Sequence, residues 1–136
     1  MPPLHSVLLV DDDPTTNFLN GLLLQRLNVT ERVLVAENGQ QALAVLGREC
    51  PSPAGHCPCL VLLDLNMPVM NGLEFLDAFL QLPPAQRAGT VVAVLTTSVH
   101  PRDLSHVQAS PIAGVLTKPL TEAQVRELLH THFPSA

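Results

Sequence analysis

Apolar residues gather along this chain in short blocks, and polar residues punctuate the ends of those blocks. Val7-Leu-Leu-Val10, Leu60-Val-Leu-Leu63, Val91-Val-Ala-Val-Leu95 and Ala113-Gly-Val-Leu116 are runs of four or five, rich in Val and Leu. Runs of this length and composition predict strands buried on both faces, as in a parallel sheet. A further strand is expected at about 32–36. Between the runs the spacing turns helical. Phe18, Leu19, Leu22, Leu23 and Leu27 predict the apolar face of a helix reaching to about 28, with Asp13 as its cap and Pro14 in its first turn. Gly21 inside that helix costs about 1 kcal/mol relative to Ala and points to a close packing contact. Ala42, Leu43, Val45 and Leu46 predict a second helix, and Leu73, Phe75, Leu76, Phe79 and Leu80 a third. A short polar helix is expected at about 101–109 and a last one at about 121–132. The stretch from Gly47 to Pro58, with three prolines and two glycines, reads as a surface loop. Strands alternating with helices predict an α/β fold: a parallel sheet, right-handed crossovers and helices on both faces.

Size and charge narrow the choices. The 136 residues suit one domain, expected over 1–136 with no output domain attached. A net charge of −5 argues against sequence-independent nucleic-acid binding, which needs clustered Lys and Arg. No stretch approaches a membrane span, and no basic N-terminal region with a cleavage signature is present. The three cysteines, Cys50, Cys57 and Cys59, are an odd number in one loop, so a disulfide framework is not expected and a cytoplasmic setting is. With His56 they have zinc-ligand chemistry but not the usual ligand spacing, and they read as free thiols.

The candidate chemistry lies at the ends of the runs. Asp11 and Asp12 follow the first, Asp64 follows the run at 60–63, Thr96 ends the one at 91–95, and Lys118 comes shortly after Leu116. Ligands of open α/β sheets bind at the carboxyl ends of the strands, so these residues are expected at one shared edge. Three carboxylates there repel one another and call for a cation or a proton. Mg²⁺ favours oxygen ligands and commonly pairs carboxylates with phosphate oxygens. A phosphoryl group beside the metal, an ammonium and a hydroxyl would meet the stabilisers that phosphoryl transfer requires. Asp64, alone at its strand end, is the best candidate to attack phosphorus itself.

On Val10-Asp11-Asp12, Leu63-Asp64-Leu65-Asn66-Met67-Pro68, Met70-Asn71-Gly72, Leu95-Thr96-Thr97 and Lys118-Pro119, the chain from Val7 to His132 resembles the receiver domains of two-component response regulators. The resemblance implies a flavodoxin-like (βα)5 fold with strand order 2-1-3-4-5. It implies that Asp64 is the phosphorylated residue, and that Asp12, Asp64 and the Asn66 backbone carbonyl hold Mg²⁺, with Mn²⁺ as a substitute and Asp11 acting mainly through a bound water. Thr96 would bond the phosphoryl group and Lys118 would pair with it. Pro68 and Pro119 mark turns, the second after a peptide bond that is usually cis in the family. The implied partners are a histidine kinase or a histidine phosphotransfer protein as donor, and a downstream protein contacting residues about 100–132. The implied role is phosphorelay signalling and not enzymatic turnover of a separate substrate. Thr97 is larger than the Ala or Gly common at its position, Ser98 follows it, and Val115 stands where the family often has an aromatic residue. All three are candidate modulators.

Asp11-Asp-Asp-Pro-Thr15 also fits the Asp-x-Asp-x-Thr signature of haloacid-dehalogenase-type phosphatases. Such an enzyme needs a further acidic pair after the lysine. Only Glu122 and Glu127 follow Lys118, both within the last helix, and the reading leaves Asp64 through Pro68 without a role. A receiver that docks partners without phosphorylation is the other alternative, and the complete five-residue site argues against it.

Overall fold

The structure is a computed structural model and describes residues 4–49, 60–83, 90–97, 105, 107, 112 and 114–133. In chain order the elements are β1 (Leu4–Val10), α1 (Pro14–Arg26), β2 (Thr30–Ala36), α2 (Gly39–Glu49), β3 (Leu60–Leu63), α3 (Gly72–Leu80), β4 (Val91–Thr96), β5 (Gly114–Thr117) and α4 (Glu122–His132). The five strands form one sheet in the order β2-β1-β3-β4-β5, every neighbouring pair parallel. This is the flavodoxin-like order that the resemblance implies. Ser105 and Val107 are helical, and Val107 is fully buried. The rest of the predicted helix at about 101–109, the cysteine-bearing loop from 50 and Ser98 lie outside the described residues.

The two-residue period of a strand sorts the core into two layers. Leu8 and Val10 of β1 join Val61, Leu63, Ala42, Leu46, Phe75 and Phe79 on the face covered by α2 and α3. Val7 and Leu9 join Leu60, Leu62, Leu24, Leu95, Val125 and Leu128 on the face covered by α1 and α4. β1 and β3 are buried along nearly their whole lengths, as strands between two helical layers must be.

Helix α1 departs from its sequence pattern. Phe18 (63 % exposed), Leu19 and Leu22 face outward, while Asn17, Asn20 and Leu24 are its buried residues. Leu23 and Leu27 are only partly buried. The rotation of the helix is set at its first turn. The Asp13 side chain accepts from the Thr15 N–H at 3.0 Å and from Thr16 Oγ1 at 2.8 Å, and the Asn17 amide donates to the Asp11 carbonyl at 2.8 Å. Those bonds turn Asn17, and with it Asn20 and Leu24, toward the sheet. The close contact expected at Gly21 is absent, because a Cβ there would meet Val33 Cγ1 at 3.6 Å, an ordinary distance. Helix α2 also runs on through Gly47, which the sequence places in the loop, to Glu49. Val115 on the edge strand β5 is 41 % exposed, so it is no core residue.

Candidate phosphoacceptor site

All three aspartates come together at the carboxyl edge of the sheet. β1 ends as the Asp11 N–H donates to the Ala36 carbonyl (3.0 Å), and β3 ends as the Asp64 N–H donates to the Val10 carbonyl (2.9 Å). Adjacent parallel strands therefore deliver Asp11 and Asp64 side by side. One carboxylate oxygen from each of Asp11, Asp12 and Asp64 lies within 4.8 Å of the others. Asp11 and Asp64 are buried and Asp12 is exposed, so the cluster opens to solvent on the Asp12 side.

Each buried carboxylate is held by the turn that follows it. Asp11 Oδ1 accepts from the Asp13 N–H at 2.9 Å, and Asp64 Oδ1 accepts from the Asn66 N–H at 3.3 Å. Beyond Asn66 the chain passes through exposed Pro68 and Val69, and Val69 has φ 66°, a region that β-branched residues rarely occupy. Met70 closes the loop by accepting from the Gly39 N–H at 2.8 Å. Asn71 then caps α3, accepting from the Glu74 N–H (2.9 Å) while Glu74 Oε1 accepts from the Asn71 N–H (3.1 Å). Gly72 sits so close behind the strand end that a Cβ would lie 2.5 Å from the Asp64 carbonyl oxygen and 2.7 Å from Leu65 Cα.

Lys118 arrives from the far side of the sheet. Its N–H donates to the Thr96 carbonyl (2.9 Å), its peptide bond to Pro119 is cis, and its ammonium reaches back to the acids. Nζ is 2.5 Å from Asp11 Oδ2 and 3.6 Å from Asp64 Oδ2. Burial works against the ammonium, but the hydrogen bond to Asp11 and the charges of Asp64 and Asp11 outweigh it and raise its pKa. Burial raises the pKa of Asp64. Lys118 and the Asn66 N–H pull it down, the charges of Asp11 and Asp12 push it further up, and the balance stays upward. Asp13 stays on the loop side, with its pKa lowered by the Thr16 hydroxyl and the Thr15 N–H.

The structure places two further sequence candidates at and just after the end of β4. Thr96 is buried at the end of β4, and Thr97 is exposed beside Lys118 and Pro119 in a groove against α1. Among the described residues the acid cluster holds Asp11, Asp12 and Asp64 and not the later carboxylates that a phosphatase would need, and Glu122 pairs instead with Arg126 on α4 at 2.9 Å. Sequence reasoning missed Asn17, whose amide bonds the Asp11 carbonyl. The readable signal was the spacing Asn17-Asn20-Leu24, an inward stripe set against the more obvious leucines.

The oxygen-only donor set fits Mg²⁺, which binds carboxylates in partly hydrated sites. Among the described residues no helix is long and apolar enough to cross a membrane. The family model of the response regulator receiver domain matches residues 7–130. A two-component response regulator from Cytophaga hutchinsonii superposes with a TM-score of 0.85 at 30% identity, covering 96% of this chain and 98% of that one. A response regulator receiver protein from Dyadobacter fermentans superposes with a TM-score of 0.81 at 30% identity, covering 95% and 98%. The probable methanogenesis regulatory protein FilR2 of Methanothrix harundinacea is 33% identical over 116 residues, 85% of this chain and 72% of the relative. With this fold and this match over nearly its whole length, the chain belongs to the response regulator receiver domains, the signalling domains of two-component systems.

Proposed function

We propose that the chain accepts a phosphoryl group on Asp64 from a phosphohistidine donor, a histidine kinase or histidine phosphotransfer protein, and changes its binding to a downstream protein as a result. The observation that carries this reading is the convergence of the Asp11, Asp12 and Asp64 carboxylates within 4.8 Å, with the Lys118 ammonium 3.6 Å from Asp64. In the transfer, an Asp64 carboxylate oxygen forms a bond to phosphorus as the bond from phosphorus to the donor's imidazole nitrogen breaks, and the imidazole leaves with its electron pair. Asp12, Asp64 and the Asn66 backbone carbonyl would hold Mg²⁺, or Mn²⁺ in its place, with Asp11 acting through a water. Bound there, the cation supplies positive charge to the phosphoryl oxygens.

The chain's own residues supply the rest. Lys118 leaves Asp11 to pair with the phosphoryl group, and the Thr96 hydroxyl bonds it from β4. Thr97 and Ser98 tune access, and Pro68 and Pro119 shape the two turns. Phosphorylation shifts an existing equilibrium of the surface at about 100–132, which includes Val115. This is phosphorelay signalling in the cytoplasm, and self-phosphorylation followed by slow dephosphorylation is the chain's only chemistry.

The test is incubation with acetyl phosphate and Mg²⁺, read by intact mass. One phosphoryl group per chain is expected, lost in Asp64→Asn and in EDTA. Phosphate retained by Asp64→Asn would place the acceptor elsewhere, and repeated turnover of a generic phosphomonoester would favour a phosphatase.

A further inference from the structure

One side chain outside the acidic cluster governs the peptide that joins two of its members. Asn17, in α1, is 3 % exposed. Its Nδ2 donates to the Asp11 carbonyl oxygen at 2.8 Å. That carbonyl belongs to the planar peptide linking Asp11 to Asp12, so fixing it fixes the direction in which Asp12 leaves the strand. The other half of the amide is unsatisfied: Asn17 Oδ1 is buried and finds no donor among the described residues. The Asn17 residue lines, with Asp11 and Asp64, a cleft between α1 and the sheet too narrow for a water.

A half-satisfied buried amide is a poor way to pack a helix on a sheet. Leu24, on the same face, shows what packing alone uses. What Asn17 does that leucine cannot is hold the Asp11–Asp12 peptide. We infer that Asn17 is a positioning residue for the divalent cation: through the Asp11 carbonyl it presets the Asp11 and Asp12 carboxylates against Asp64. The inference rests on the reading of Asp11, Asp12 and Asp64 as the cation site. Groups that orient metal ligands from behind commonly change metal affinity by about 10–100-fold when removed.

The experiment is a calorimetric Mg²⁺ titration of the wild-type chain, Asn17→Leu and Asn20→Leu, with thermal melts and amide exchange measured in EDTA. Asn17→Leu should bind Mg²⁺ about tenfold more weakly. Its melting temperature should stay within a few degrees of the wild type, since one unsatisfied polar atom replaces another. The Asp13 amide, bonded to Asp11 Oδ1, should exchange faster. Asn20→Leu, buried one turn further along the same face, should keep the wild-type affinity. Unchanged Mg²⁺ affinity in Asn17→Leu, or equal losses in both variants, would overturn the assignment. Should Asn17→Leu fail to fold, Asn17→Ser, too short to reach the carbonyl, takes its place under the same criteria. A wild-type chain that binds no Mg²⁺ would sink the cation reading and this inference together, whereas a variant that binds like wild type sinks this inference alone.

Discussion

Lys118 gives its hydrogen bond to Asp11, at 2.5 Å, and stands off at 3.6 Å from Asp64, the carboxylate with the raised pKa. The ammonium thus occupies an oxygen that a divalent cation at the cluster would draw upon. Under the proposed function the two positive charges would compete for Asp11, and a bound cation would leave Lys118 free for another anion.

Lys118→Ala should therefore tighten Mg²⁺ binding. Removing a unit positive charge from this distance is worth at least about 1 kcal/mol, the value in bulk water, or roughly fivefold in affinity. In EDTA the same variant should lose about 1–3 kcal/mol of stability, because the buried Asp11 carboxylate loses its partner. Calorimetry and denaturant melts read the two effects separately. Weaker Mg²⁺ binding by Lys118→Ala would show that the lysine does not compete at this site.

The pH dependence follows from Asp64. Its folded pKa is raised, chiefly by burial, so its ionised form destabilises the chain at neutral pH in EDTA. That cost fades as pH falls through the raised pKa and is gone below the unfolded value near 3.9. Asp64→Asn should consequently melt higher than wild type at pH 7 in EDTA, with the difference shrinking toward pH 4. Lys118 has the opposite sign: its stabilisation is complete below its unfolded pKa and fades only as pH rises through the raised folded one. Melting temperatures of both chains across pH 4–8 would test this, and a constant gap would refute the Asp64 assignment.

Gly21→Ala should stabilise the chain by about 0.5–1 kcal/mol. The helix gains propensity and the unfolded chain loses freedom, and the added methyl would sit 3.6 Å from Val33 Cγ1 without displacing it. Destabilisation in a denaturant melt would reveal a contact tighter than the one described.

Val69→Asn should also stabilise, by about 1 kcal/mol, since Asn tolerates the left-handed backbone that Val69 occupies at φ 66°. The side chain is 75 % exposed, so little burial is lost in exchange. A loss of stability would mean that this loop relies on the valine.

The parallel sheet was readable because its central strands end in apolar runs buried between two helical layers, whereas the strand order came from the family resemblance. The convergence of the acids was readable because Asp11 and Asp64 follow the ends of adjacent strands, where backbone topology alone brings them together. Helix α1 was misread for a physical reason. Hydrophobic periodicity assumes that burial sets a helix's rotation, but here the Asp13 cap and the Asn17–Asp11 bond set it, and Phe18, Leu19 and Leu22 are left outside. Val115 was misjudged in a similar way, because a strand at the sheet edge has neighbours on one side only, which no local pattern reports.

Gly72 leaves no slack between the Asp64–Leu65 backbone and the first turn of α3, whose Gly72 N–H also donates to the Leu65 carbonyl at 3.0 Å. The strand end and the helix start are thereby one mechanical part. The Asp64 backbone cannot move back without meeting α3, and α3 is fastened in turn by the Asn71–Glu74 box. The strand end has a backstop in α3, so the open room around the Asp64 backbone lies away from that helix.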